Sequence, residues 1–391
     1  VIAPPYDVVD TNEARTLAER QAHSFLHVSR AEIDLPEGTD PHADAVYARA
    51  AENFGALIQK NVLVRDAEPS YYIYRMATDG RAQTGVAMTA SVKAYEANRV
   101  RRHELTRPDK ELDRVRHIEA LNAQTGPVLC AFRANADLQR LIAAASADLP
   151  DVSASGPNDV THSFWAVADA ELASSLDRQL NALDALYIAD GHHRSAAAAR
   201  VAAHRRALHD DPAASHEFFL TIAFPHDEMR IFDYNRAVAD LNGLTPADLL
   251  TRIGKKFSVQ RVEQPHRPRG RREFGMFLDG HWYALATAAS LQKSDPVGSL
   301  DVSILQDHII GPLLGIENPR TDPRIDFIGG IRGLRELESR VRSGRAAVSF
   351  ALHPTSMEQL MAVADADLLM PPKSTWFEPK LADGLLSHVL D

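Results

Sequence analysis

The stretch Ala185–Arg194, ALYIADGHHR, with the alanine-rich run that continues to Leu208, decides the fold. A short apolar segment ends on Asp190, a glycine follows, and a segment of high helix propensity begins at once. Strand, glycine and helix in immediate succession predict an α/β (α+β) protein in which the carboxyl end of a strand abuts a helix N-terminus.

The first N–H groups of a helix lack intrahelical partners, and the macrodipole adds roughly half a positive charge, so this turn is expected to bind an anion such as a nucleotide phosphate. Gly191 lets the backbone approach the ligand. Arg194 can add a bidentate cationic contact, and His192 or His193 can donate to phosphate oxygens or shuttle a proton. Asp190 can hold a magnesium ion or orient a histidine, and it can also simply cap the helix. A metal centre made by both histidines is disfavoured, because neighbouring helical residues diverge by about 100°.

Upstream, helical spacing is expected over residues 12–21 and 42–60, and strands over 70–75 and 85–93. Thr106-Arg107-Pro108-Asp109 reads as a helix start, with Thr106 as the hydroxyl cap of a helix running from about Pro108 to Ala123. That helix places Lys110 and Arg114 four apart on one face, behind His103 and Glu104, a second constellation suited to a phosphate clamp with Glu104 as general base. The same two cations can equally pair with Glu111 or Asp113 on the surface. Downstream, strands are expected over 163–169, 218–225, 276–286 and 346–352, and helices over 246–253 and 301–314. The composition change after Pro225 predicts two domains, 1–225 and 226–391.

Two further segments carry candidate substrate-binding residues. Pro371–Phe377 contains Lys373, Ser374 and Thr375 but no preceding glycine-rich loop, so it is not a P-loop. Ala3–Asp7 is a rigid turn bearing Tyr6 and Asp7.

The net charge of −10 argues against a nucleic-acid partner, and the one dense basic run, residues 261–272, is broken by two prolines and a glycine and reads as a solvated loop or hairpin. No apolar run approaches the roughly 18 residues of a membrane helix. The single cysteine, Cys130, fits a reducing cytoplasm.

APPYDVV from Ala3, SFLHVSR from Ser24, HELTRPDKELDR from His103, IADGHHR from Ile188, LDVSILQDHIIGPLLGI from Leu300 and MPPKSTWFEPK from Met370 together resemble the domain-of-unknown-function 1015 family. The DGHHR segment is similar to the phosphate-binding turn of the wider ParB and sulfiredoxin group, which implies a ParB/sulfiredoxin-like N-terminal nucleotide-binding core. Sulfiredoxins carry Gly-Cys-His-Arg at that turn. Here His192 stands in place of the cysteine, and without a thiol nucleophile sulfiredoxin chemistry is not expected. Free-serine kinases of the group carry a similar Asp-Gly-x-His-Arg, and a glutamate from another segment deprotonates their substrate hydroxyl. The resemblance therefore implies a phosphotransferase using ATP or ADP, or another nucleotide, with Mg2+ on a small hydroxyl-bearing acceptor, with Glu104 as the candidate base. It equally admits a nucleotide-switched ParB-like binding protein without turnover. A metal-dependent hydrolase built on Asp190 and the histidines ranks third.

Overall fold

The computed structural model describes residues 1–78, 80–288, 291 and 293–391. The chain divides into two compact units, residues 1–229 with 379–391, and residues 230–378.

The first unit is built on an eight-stranded mixed sheet. In chain order its strands are β1 (Tyr72–Thr78), β2 (Arg81–Ser91), β3 (Val100–Arg101), β5 (Val128–Phe132), β6 (Val152–Ser155), β7 (Thr161–Ala166), β8 (Leu186–Asp190) and β9 (Phe218–Pro225), with the short β4 (Ala123–Gln124) lying outside it. The spatial order is β3-β8-β5-β9-β2-β1-β7-β6. The pairs β5/β9 and β3/β8 are parallel, and the other neighbours are antiparallel. Central strands are covered on both faces and so read as continuous apolar runs: every residue of β5, VLCAF, is buried, as are seven of the eight in β9.

Three helices matter for the site or its support. They are α1 (Asp44–Gln59), α2 (Pro108–Leu121) and α3 (His192–Leu208). The alanines of α3 permit close packing on α2, where Ile118, Ala197, Val201 and Leu390 form one small apolar cluster.

The second unit carries a six-stranded antiparallel sheet. Its strands are β10 (Tyr234–Val238), β11 (Phe257–Val262), β12 (Glu273–Leu278), β13 (His281–Thr287), β14 (Ile325–Gly329) and β15 (Val348–Leu352), arranged β11-β13-β12-β15-β10-β14. Helices Pro246–Ile253, Gly333–Arg342 and Met357–Asp365 accompany it. Both units are thus mixed α/β, in agreement with the expected class.

Several expectations are corrected. Residues 276–286 are a hairpin rather than one strand, because Asp279 and Gly280 both adopt positive φ (49° and 76°), the conformation a tight two-residue turn requires. Residues 301–314 do not form one helix: Asp301–Leu305 is α-helical and Gln306–Ile310 widens into a π turn. The stretch from Val92 leaves the predicted strand for a short helix, Val92–Glu96, capped by Ser91. Residues 379–391, assigned from sequence to the C-terminal domain, lie in the first unit. There His388–Val389 pairs with β4, and Ala3 bridges to Asp383. Among the described residues no helix is long and apolar enough to cross a membrane.

Candidate active site at the start of helix α3

β8 ends on Asp190, and the chain turns through Gly191 at φ 97° directly into α3. A Cβ at this position would sit 3.2 Å from the Arg194 guanidinium, so both the backbone angle and the packing call for glycine. No side chain among the described residues caps α3. Asp190 is therefore not the N-cap. Its Oδ2 instead accepts from Arg194 Nη2 at 3.0 Å, four residues on.

Arg194 is the pin of the turn. Its side chain is only 9% exposed, and its other terminal nitrogen donates to the Pro127 carbonyl. That carbonyl precedes β5, which bulges against β8 between Leu129 and Cys130. Arg194 also lines a small cavity with Tyr6, Arg114, Gln124, Thr125 and Asp383. At about 30 Å³ the cavity has room for a water or two and none for a nucleotide. The guanidinium that the sequence offered as a phosphate contact is thus engaged inward, holding β8, the Gly126–Pro127 bend and the helix start together.

The charges of this cradle are coupled. Arg114, on α2, stacks over the Tyr6 ring at 3.8 Å and bonds Asp113, which also accepts from Tyr47 of α1 at 2.7 Å. Burial pushes the Tyr6 phenol up to about 12, against the pull of Arg114. Burial also pushes Asp383 up to about 7, although Arg194 and Arg114 oppose it. Asp190 goes the other way: burial would raise it, but Lys380 and Arg194 outweigh that and hold it ionised well below the usual carboxylate range.

Between the unfolded value of 3.8 and about 7 the folded protein keeps a proton on Asp383 that the unfolded chain releases, so this contribution to stability declines as pH rises through that window. His103, His117 and His162, each lowered to about 4 by burial, have the opposite sign. Their contribution is full above pH 6.5 and lost on acidification towards 4. Comparing Asp383→Asn with the parent cancels the histidines. Urea unfolding between pH 5 and 7 should show the variant gaining on the parent by roughly 1 kcal/mol per pH unit. A pH-independent difference would mean Asp383 titrates normally.

On the outer side of the helix start lies the segment His103–Arg107. The Arg107 backbone N–H donates to His193 Nε2 at 3.0 Å, and the His103 backbone N–H approaches His192 Nε2 at 3.5 Å. The rings of His103 and His192 meet edge-on, 4.5 Å between centroids. His103, Glu104 and His192 each bring a ligand atom within 4.8 Å of the others. The structure therefore brings His103, Glu104 and Arg107 to the helix start, and the adjacent histidines do diverge, each meeting a different part of this segment.

Thr106 is corrected in detail. The N-cap of α2 is Arg107, without a side-chain cap bond, and Thr106 Oγ1 donates to Glu111 Oε2 at 2.8 Å. Glu111 also accepts from Arg200 of α3 at 3.1 Å, tying the two helices. Lys110 lies half-buried in the first turn of α2. Asp7 is exposed and acts electrostatically on His193, Arg194 and Asp383, which brings the Tyr6-Asp7 turn into the site.

Lys373, Ser374 and Thr375 belong to the second unit. There Lys373 adopts positive φ, its carbonyl accepts from Arg236 at 2.9 Å, and Ser374 Oγ donates to the Pro371 carbonyl at 2.6 Å, so these residues build a turn. Asp383 and Lys380 were not anticipated. An acid in the otherwise apolar and small run Leu381–Gly384 was the available signal.

The family model described as "Protein of unknown function (DUF1015)" matches residues 1–303. The chain belongs to this family. No curated protein matches the sequence of this DUF1015 member. Among solved structures it is similar to a free serine kinase variant in complex with AMP (12% identity, 81% of this chain and 90% of that chain, TM-score 0.37). It is also similar to C-terminally truncated SbnI from Staphylococcus aureus (10% identity, 76% and 85%, TM-score 0.38) and to a conserved hypothetical protein from Pyrococcus furiosus (12% identity, 76% and 93%, TM-score 0.35).

Proposed function

We propose that this DUF1015 protein is a nucleotide-dependent phosphotransferase acting on a small hydroxyl-bearing metabolite, with free serine as one acceptor to try. The observation that carries this reading is the placement of Glu104 against the first turn of α3, its side chain within 4.8 Å of a ring nitrogen of His192. A helix start without a side-chain cap attracts phosphate, and a carboxylate beside it can take the proton of an attacking hydroxyl. Phosphoryl transfer asks for little more than positioning and charge stabilisation.

In this reading the N–H groups at Gly191–His193 meet the phosphates, His193 and Lys110 flank them, and Glu104 is the base. Arg194 acts from behind, fixing the turn and not touching the ligand. ATP or ADP would be accompanied by Mg2+, which neutralises phosphate charge when bound. Of the local carboxylates Asp190 is the candidate to hold it, through the oxygen other than the one engaged by Arg194.

The test is a nucleotide screen with Mg2+ by thermal shift, followed by mass analysis of serine and related hydroxy compounds incubated with the protein and nucleotide. A nucleotide at 100 times its Kd should stabilise the fold by about 2.7 kcal/mol, and a phosphorylated acceptor should appear. Binding without product points to the nucleotide-switched alternative. No stabilisation by any nucleotide overturns both.

A further inference from the structure

The geometry points to a second capability at the same place: we infer that His103, Glu104 and His192 bind a single divalent transition-metal ion of the zinc type. The three ligand atoms lie within 4.8 Å of one another, in a described chain where no other such cluster of three is found. Around an ion with bonds near 2.0–2.1 Å, tetrahedral ligands sit about 3.4 Å apart, so closure needs a shift of an ångström or so, within reach of the half-buried Glu104 side chain.

The independent observation is a stranded lone pair. His103 is 2% exposed, and its Nδ1 has no hydrogen-bond partner among the described residues. The ring does bond the Ile188 backbone. Since Nδ1 is unpartnered, that bond falls to Nε2, which donates to the carbonyl and leaves Nδ1 bare and deprotonated. A buried ring with one nitrogen tied to a carbonyl and the other without a partner has the arrangement of an oriented metal ligand. His192 Nε2 accepts a long bond, 3.5 Å, from the His103 backbone N–H, a contact that an ion at that nitrogen would displace.

An unsatisfied buried nitrogen costs free energy that a cation would recover. The Asp190 carboxylate acts electrostatically on both rings and favours a cation there, while Arg102 opposes it at His192. Two imidazoles and one carboxylate suit zinc or a neighbouring transition metal over magnesium, with a fourth position open to water.

This inference stands whether or not the phosphotransfer reading holds. If both hold, an ion on Glu104 removes the base, and zinc inhibits the transfer.

The test uses the full chain stripped with chelator and dialysed, then titrated with Zn2+ by calorimetry and, in parallel, with Co2+ by visible absorption. Expected are one ion per chain with Kd below 1 μM, a visible Co2+ band of tetrahedral intensity, and little binding of Mg2+. Glu104→Gln, at a half-buried position, should weaken Zn2+ at least 10-fold. His192→Asn should weaken it at least 100-fold, with circular dichroism confirming the fold. Absence of 1:1 binding, or binding that both variants leave unchanged, overturns the proposal.

Discussion

Arg194→Ala should destabilise the folded protein by about 3–4 kcal/mol, a loss read as a fall in the urea midpoint at constant slope. The size follows from what the guanidinium holds. Its side chain is 9% exposed, it pairs with Asp190 at 3.0 Å, and it donates to the Pro127 carbonyl. Removing it leaves an ionised Asp190, a carbonyl without its donor, and Asp383 with one fewer cation nearby. Asp190 is 32% exposed, so water offsets part of the penalty, and the value is set below the about 5 kcal/mol upper end for a fully buried pair.

Arg194→Lys separates charge from geometry. It restores a cation but not the fork that reaches Asp190 and Pro127 together, and should recover less than half of the loss. Full recovery by Lys would show that only charge matters, and an Ala variant within 1 kcal/mol of the parent would remove Arg194 from its pinning role.

The parts of this site legible in sequence are those written in local chemistry. Gly191 followed by a run of alanines announces a helix start, and α3 runs over His192–Leu208 as expected. Charge at that start was also legible, but its direction was not. Whether Arg194 faces a ligand or the interior depends on Pro127 and Asp383, 67 and 189 residues away in sequence, and no local pattern encodes that. The same limit hid β5. VLCAF is short, wholly apolar and without alternation, which suits a strand covered on both faces but equally a buried helical turn. The return of residues 379–391 to the first unit is a long-range pairing of the same kind. Thr106 shows the converse failure: a good capping signal was present, yet the hydroxyl found Glu111 and the helix began without a side-chain cap.

Glu104→Gln should lower turnover by about 10²–10⁴-fold while leaving nucleotide affinity within a few-fold of the parent. The amide matches the carboxylate in shape but cannot accept a proton, so only the step that needs a base is removed. Nucleotide binding rests, in the proposed arrangement, on the backbone at Gly191–His193. Loss of an interaction made only as the hydroxyl is deprotonated lowers kcat and kcat/KM together. Equal falls in both, with an unchanged Kd, therefore mark a base. A rise in KM with kcat intact would instead make Glu104 a binding residue for the acceptor, and parental turnover would leave the reaction without Glu104 altogether. Because Glu104 is also one of the three proposed ligands, kinetics should be measured with a zinc-selective chelator and Mg2+ in excess. Any change then reports the carboxylate itself and not an ion bound to it.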